Sequence, residues 1–207
     1  MATKLDLAHV LRKKPNEKDL GLNDRCFLDY REIRDIVKKH KKEGSKIVLT
    51  QGTFDLVHIG HARYFAEAKK YGDILIIGID SDEKVRSRKG PDRPVVPQEE
   101  RMEIVTHLRP VDYVVLKNLK ASKWALIKTI KPDVLIATED TYDDNQLANL
   151  KPYCGKVVVL SRMATTSASA KIRLLQISTA KKLGEILTPR LLDTIEDVLS
   201  EVRGEKK

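Results

Sequence analysis

The sequence predicts an α/β chain: a Rossmann-like, doubly wound sheet of about five parallel strands, with a helical extension at its C-terminal end. Three observations lead there. From Lys46 onward, short apolar runs alternate with segments of helical spacing. Ile74-Leu-Ile-Ile-Gly-Ile79 is apolar throughout, as befits a strand covered on both faces. Beyond residue 168, Leu174, Ile177, Leu183, Leu187, Leu191, Leu192, Ile195, Val198 and Leu199 recur at helical spacing.

Taken in order, residues 1–45 form an N-terminal arm and helix, in which Ile33, Ile36 and Val37 share a face and Gly44 supplies the stop. The α/β domain is expected over 46–165. Its first strand is 46–51, followed by a helix to about Tyr71, the strand 74–79 and a polar, proline-rich loop over 81–97. Pro97-Gln-Glu-Glu opens a helix with proline at its start and acids in its first turn. Tyr113-Val-Val-Leu is a strand, 121–130 a helix containing Trp124 and Ile127, and Val134–Ile136 and Val157–Leu160 the last strands. Residues 166–207 are expected to form two helices broken at Pro189, packed on the parent domain or, alternatively, at a homodimer contact.

The 207 residues are 41% hydrophobic and 33% charged, enough apolar material for a core. No apolar run approaches the roughly 20 residues of a membrane span, and the first residues lack a signal-peptide core, so a cytoplasmic protein is expected. Cys26 and Cys154 are too few for a disulfide framework or a zinc cluster. The net charge of +9 is spread along the chain, apart from Lys38-Lys-His-Lys-Lys42. With aromatics at only 5% there are few platforms for stacked bases. Nucleic acid is therefore not an expected partner.

The chemistry concentrates at Gly52-Thr53-Phe54-Asp55-Leu-Val-His58-Ile-Gly60-His61. This string lies between the first strand and its helix. Backbone N–H groups are unpaired at a helix start and the dipole is positive there, which suits an anion. Histidines three apart face one way and can both donate to phosphate oxygens, and Gly60 would let a ligand approach the backbone. The pattern points to a nucleoside triphosphate site. A second stretch, Asp80 to Pro97, sets Arg86, Arg88, Lys89 and Arg93 beyond the next strand, where basic groups can reach phosphates.

These residues resemble the nucleotidyltransferase superfamily of cytidylyltransferases and their relatives. Lys89-Gly-Pro-Asp-Arg93-Pro-Val-Val-Pro-Gln-Glu-Glu-Arg101-Met is most similar to the heptose 1-phosphate adenylyltransferases, and Val111-Asp112-Tyr-Val-Val and Lys131-Pro-Asp-Val-Leu135 continue the likeness. The resemblance covers residues 30–175. It implies transfer of a nucleotidyl group from a triphosphate, ATP, to a small phosphorylated acceptor such as heptose 1-phosphate, with release of pyrophosphate. His58 and His61 would donate to the triphosphate, Lys89 would bridge acceptor and α-phosphate, and Arg101 would help anchor the nucleotide site. Gly52, Thr53, Phe54, Asp55, Gly60, Asp140, Thr165, Thr166, Ser167 and Ser169 would complete the nucleotide site, and Asp80, Arg86, Arg88 and Arg93 the acceptor side. Mg²⁺ would accompany the triphosphate, with Asp55 and Asp140 near it but no ligand set named.

Two stretches depart from the resemblance. The relatives carry Lys-Gly-Gly-Asp-Tyr after the strand at 134–136, where this chain reads Ala137-Thr138-Glu139-Asp140-Thr141-Tyr142. They also carry Gly-x-Ser-Thr-Thr where this chain reads Met163-Ala-Thr165-Thr166-Ser167-Ala-Ser169. These departures leave open a CTP-dependent enzyme for glycerol 3-phosphate, phosphoethanolamine or phosphocholine, and an FMN adenylyltransferase. A nucleotide-binding module without turnover is the reading from a different class.

Overall fold

The computed structural model describes residues 22–139, 142–161, 163–164 and 168–203. A short helix α1 (Leu22–Arg25) and strand β1 (Cys26–Phe27) precede α2 (Tyr30–Lys42). The alternating part runs β2 (Ile47–Gly52), α3 (Ile59–Lys69), β3 (Ile74–Asp80), α4 (Asp82–Lys89), α5 (Gln98–Thr106), β4 (Tyr113–Lys117), α6 (Ala125–Ile130), β5 (Val134–Thr138), α7 (Asp144–Leu150) and β6 (Lys156–Leu160), with a 3₁₀ turn at Lys151–Tyr153. The last element is α8 (Ala168–Arg203).

The sheet has six parallel strands in the order β1-β4-β3-β2-β5-β6. The sixth strand, against the five expected, is β1. Two residues are too few for an alternation to show, yet Cys26 and Phe27 pair with Val114 and Val115 and are buried. The chain builds outward from β2 to β3 and β4, then returns to the other side of β2 for β5 and β6. The β2/β5 boundary is thus a topological switch point, where open α/β sheets leave a crevice beyond the carboxyl ends of the strands.

Two apolar layers clamp the sheet. One contains Phe54, Phe65, Ile77, Met102 and Val105. The other contains Ile33, Leu49, Ile76, Leu126 and Ile127. Alternate residues of β3 serve opposite layers, which explains its unbroken apolar run.

Two further expectations are corrected. The loop predicted over 81–97 contains α4, which the Ser81 side chain caps by accepting from Lys84 N at 3.3 Å. Asp82 and Glu83 occupy its positive end and Arg86, Arg88 and Lys89 its negative end. Basic side chains mask this helix because only Val85 is buried. The tail is one helix of 36 residues running through Pro189, not two. Proline removes a single backbone donor, and the helix-forming residues on either side carry the rise across it. The chain divides into two compact units, 1–165 and 166–207.

Candidate active site

The site starts from the turn between β2 and α3. Gly52 ends β2, and a β-carbon there would come within 2.8 Å of the Phe54 ring, so the glycine makes room for it. Phe54 and Leu56 both adopt left-handed backbone, φ 49° each, which folds the chain sharply back toward the helix. The Phe54 ring then lies edge-on against His61, centroids 5.6 Å apart, and against Phe65 at 4.9 Å. It walls off one side of the His61 imidazole.

His58 is the N-cap of α3. Its Nδ1 accepts from Gly60 N at 3.1 Å, while His61 Nδ1 accepts from His58 N at 3.3 Å. Two imidazoles thus satisfy helix-start donors that Ser or Asp would satisfy elsewhere. A ring accepting at Nδ1 carries its proton, when neutral, on Nε2. Burial first, and the neighbouring His58 second, pull the His61 pKa down to about 4. His61 is therefore neutral at pH 7, and its Nε2–H is a donor. Gly60 has a different role from the one expected. A β-carbon there would meet Ala164 Cβ at 2.6 Å and the His58 ring at 2.8 Å, so protein, not ligand, occupies the space above it.

Beyond the ends of β2, β3, β4 and β5 opens a cavity of about 700 Å³. Gln51, Gly52, Thr53, Asp80, Lys117 and Thr138 line its floor, and Lys84, Arg88 and Lys89 line the side given by α4. Lys123, Trp124, Tyr30 and Tyr142 complete it. At its centre the buried carboxylate of Asp80 faces Arg88 at 2.6 Å, Lys117 at 3.0 Å and Lys84 at 3.8 Å. Lys84 and Arg88 share a face of α4 because they are four residues apart. Burial lowers the pKa of Lys117, against the pull of Asp80. It lowers that of Lys89 too, with Arg93 and Arg88 adding to the effect. One carboxylate cannot neutralise so many cations, which leaves the cavity fit for an anion such as a phosphate.

Behind this surface lies a set of committed polar groups. Arg101 is fully buried. Its Nε donates to Val96 O at 2.9 Å, Nη1 to Thr53 O at 2.5 Å, and Nη2 to Asp80 O at 2.9 Å and Asp82 Oδ1 at 2.6 Å. The guanidinium ties together the ends of β2 and β3, the start of α4 and the approach to α5. Asp55 accepts from Val95 N and Val96 N and pairs with Arg93 at 2.8 Å.

The expected residues therefore fall into groups. His58, Gly60, His61 and Phe54 meet at the start of α3. Gly52, Thr53, Asp80, Arg88 and Lys89 line the cavity. Arg101, Asp55 and Arg93 are positioning residues beneath them. Arg86 is corrected: two residues from Lys84 and Arg88, it points elsewhere on α4, is exposed and does not line the cavity. Asp140, Thr165, Thr166 and Ser167 lie outside the described residues, and Ser169 falls in the first turn of α8. Lys84, Lys117, Lys123, Trp124 and Tyr142 were missed. Lys117 carried a usable signal, a charge ending an apolar strand. The left-handed backbone at Trp124, φ 62°, has no marker in its side chain.

Comparison with known proteins agrees with this geometry. Residues 49–182 match the family described as cytidylyltransferase-like. The chain belongs to this family of nucleotidyltransferases. It is 39% identical over 154 residues to the bifunctional protein HldE of a Nitratiruptor species, covering 74% of this chain and 29% of that protein. It is 44% identical over 118 residues to the bifunctional protein HldE of Sulfurimonas denitrificans, covering 57% and 24%. The chain thus spans less than a third of the length of these relatives. Among solved structures, a lipopolysaccharide core biosynthesis protein from Thermoplasma volcanium superposes with a TM-score of 0.52 at 27% identity, over 57% of this chain and 98% of that one. Pantoate-beta-alanine ligase from Francisella tularensis, 18% identical over 79% of each chain, shares the fold, with a TM-score of 0.52.

Proposed function

We propose that this chain transfers a nucleotidyl group from a nucleoside triphosphate, ATP first, to a sugar phosphate such as heptose 1-phosphate, releasing pyrophosphate. The observation that carries the reading is the pairing of the α3 histidine turn with the cation-lined cavity at the neighbouring strand ends. The first suits a triphosphate and the second a phosphorylated acceptor. The likeness of Lys89–Met102 to the heptose 1-phosphate adenylyltransferases, and that of the chain to a lipopolysaccharide core biosynthesis protein, favour a sugar phosphate over other acceptors.

An acceptor phosphate oxygen attacks the α-phosphorus. The new P–O bond forms as the bond between the α-phosphorus and the bridging oxygen breaks, and the electron pair leaves with pyrophosphate. A phosphate monoester, with a second pKa near 6, is already a nucleophile at neutral pH, so no general base is needed. Catalysis rests on in-line positioning and on neutralising charge that builds up on the phosphoryl oxygens. The Nε2–H groups of His58 and His61 donate to the triphosphate. Lys89, its ammonium less firmly protonated than usual, bridges α-phosphate and acceptor. Lys117 and Arg88 hold the acceptor phosphate, and Arg101 fixes the loops that present them.

Mg²⁺ would supply further charge neutralisation on the triphosphate. Asp55 does not fit as its ligand, because Arg93 and two backbone amides already engage its oxygens. Among the described residues no group of three or more His, Cys, Asp or Glu side chains is placed to hold a metal. In this reading the ion would come with the triphosphate and would not depend on a carboxylate cluster among the described residues.

The test is pyrophosphate release with Mg²⁺, crossing ATP, CTP, GTP and UTP with heptose 1-phosphate, glycerol 3-phosphate, phosphoethanolamine, phosphocholine and FMN. Turnover with ATP and heptose 1-phosphate is expected. Turnover confined to CTP and an alcohol phosphate would replace the substrate pair, and the glycine-free Ala137-Thr138-Glu139 stretch is the feature that makes that comparison necessary. Silence across all pairs from a folded, nucleotide-binding protein would overturn the reading.

A further inference from the structure

We propose that Trp124, Tyr142 and Tyr30 form a platform for the sugar body of the acceptor, so that the cavity receives a polyhydroxylated ring on one wall and its phosphate on the other. The inference rests on the nucleotidyl-transfer reading for the acceptor phosphate and assigns a part of the cavity that the reading leaves without a role. The chain has six Tyr, three Phe and one Trp. Two of those tyrosines and the only tryptophan line this one cavity. They come from separate segments: Tyr30 opens α2, Trp124 precedes α6 and Tyr142 follows β5. All three are half-buried and pack against the same apolar layer, the one containing Ile33, Leu126 and Ile127. Their apolar bodies belong to the core while their exposed parts line the cavity, a use to which Tyr and Trp are suited. Neither Tyr30 nor Trp124 lies in the strings that carry the family resemblance.

The wall is ordered before anything binds. Trp124 has left-handed backbone, φ 62°, a region that bulky residues rarely adopt and glycine enters freely. Lys123 holds its ammonium 4.6 Å from the centre of the indole, a cation–π contact on the ring face. The phenol oxygen of Tyr142 accepts from Gln51 Nε2 at 3.3 Å, which leaves the phenol proton to donate elsewhere. Burial, with Tyr64 and Asp80 adding to it, pushes the Tyr142 pKa up to about 12, so it remains a donor at neutral pH. Burial, then the Asp80 carboxylate, pushes Tyr30 to about 12 as well. Both phenols therefore lie in the field of the carboxylate around which the cations gather.

Chemistry selects the occupant. A volume of about 700 Å³ suits a whole small molecule, not a phosphate alone. The C–H faces of a sugar ring match an aromatic wall, and its hydroxyls match the polar groups of Gln51, Tyr142 and Gln146 beside it. A quaternary ammonium also favours aromatic faces. Here it would meet Lys84, Arg88, Lys89, Lys117 and Lys123, against which Asp80 is the only acid among the described residues that line the cavity. Glycerol phosphate has no ring to lay on the indole.

Because Trp124 is the only tryptophan, its fluorescence reports this wall directly. Emission of the full chain is titrated with heptose 1-phosphate, glycerol 3-phosphate, phosphocholine and inorganic phosphate, each in the presence of an ATP analogue with an α,β-methylene bridge. A saturable change is expected with heptose 1-phosphate and little change with the other three. In steady-state turnover, Trp124→Ala should raise KM for heptose 1-phosphate about tenfold, with a far smaller effect on kcat and on KM for ATP. Trp124→Phe keeps a ring and the packing beneath it, and should recover most of that loss. Emission that ignores heptose 1-phosphate, or that answers every phosphate alike, would overturn the proposal. So would a response confined to phosphocholine, or a folded Trp124→Ala whose KM for heptose 1-phosphate is unchanged. Failure of the transfer reading looks different: no substrate pair releases pyrophosphate, yet heptose 1-phosphate still moves the Trp124 emission, and the platform stands.

Discussion

The imidazoles of His58 and His61 lie 4.1 Å apart, centroid to centroid, and both are held through Nδ1 by backbone N–H groups of their own helix start. The helix thereby fixes where the opposite edge of each ring points. His61 thus presents a neutral Nε2–H whose direction the helix start has already set.

That geometry makes the type of substitution informative. His61→Ala should fold normally and lower turnover by about 10²-fold, the scale for losing one preorganised donor. Gln can reach the Nε2 position with an N–H, whereas Asn reaches only toward Nδ1. His61→Gln should therefore retain more activity than His61→Asn. Steady-state pyrophosphate release checks the order, and equal activities for the two would contradict a donor at Nε2.

The same burial makes stability depend on pH. The His61 pKa is about 4 when folded, against an ordinary value near 6.5. Between those values the unfolded chain binds more protons than the folded one, so stability rises with pH. The contribution is complete above pH 6.5 and is lost as pH falls toward 4. Urea midpoints measured from pH 7.5 to 4.5 should fall on acidification, and less steeply in His61→Asn. Parallel curves for the two proteins would show that the slope comes from other groups.

Much of this was legible in the sequence, and for a reason. β3 is covered on both faces, so its composition alone announces a parallel sheet. The His58–His61 turn joins a strand to a helix with side chains that hold the backbone N–H groups of the helix start, so the motif and its place coincide. What stayed hidden depended on long-range partners. Cys26 and Phe27 become a strand only because Val114 and Val115 are there to pair with. Arg101 stands in a charged Glu-Glu-Arg string and is nonetheless the largest fully buried side chain, since its four acceptors come from distant segments.

Arg101 should accordingly behave as a structural clamp first. Arg101→Met removes the donors for Thr53 O, Val96 O and Asp80 O and leaves Asp82 without its partner. A loss of about 3–5 kcal/mol is expected, the range for breaking a buried pair from one side. Arg101→Lys keeps the charge but not the fork, and should recover only a small part of that loss. Urea unfolding measures both. A near-neutral Arg101→Lys would mean that charge alone suffices.

Gly60 separates packing from catalysis. Gly60→Ala would press its new methyl against Ala164 at 2.6 Å and against the His58 imidazole at 2.8 Å. Both distances are shorter than carbon contacts tolerate, so overpacking of about 1–3 kcal/mol is expected. The two clashes can be relieved one at a time. Ala164→Gly in the same chain removes the first and should recover much of the stability. It leaves the second, so His58 stays displaced from the Gly60 amide and its Nε2–H stays misaimed. Turnover in the double variant should therefore remain well below wild type although the fold has recovered. If stability and turnover return together, the position of the His58 ring is not what Gly60 protects.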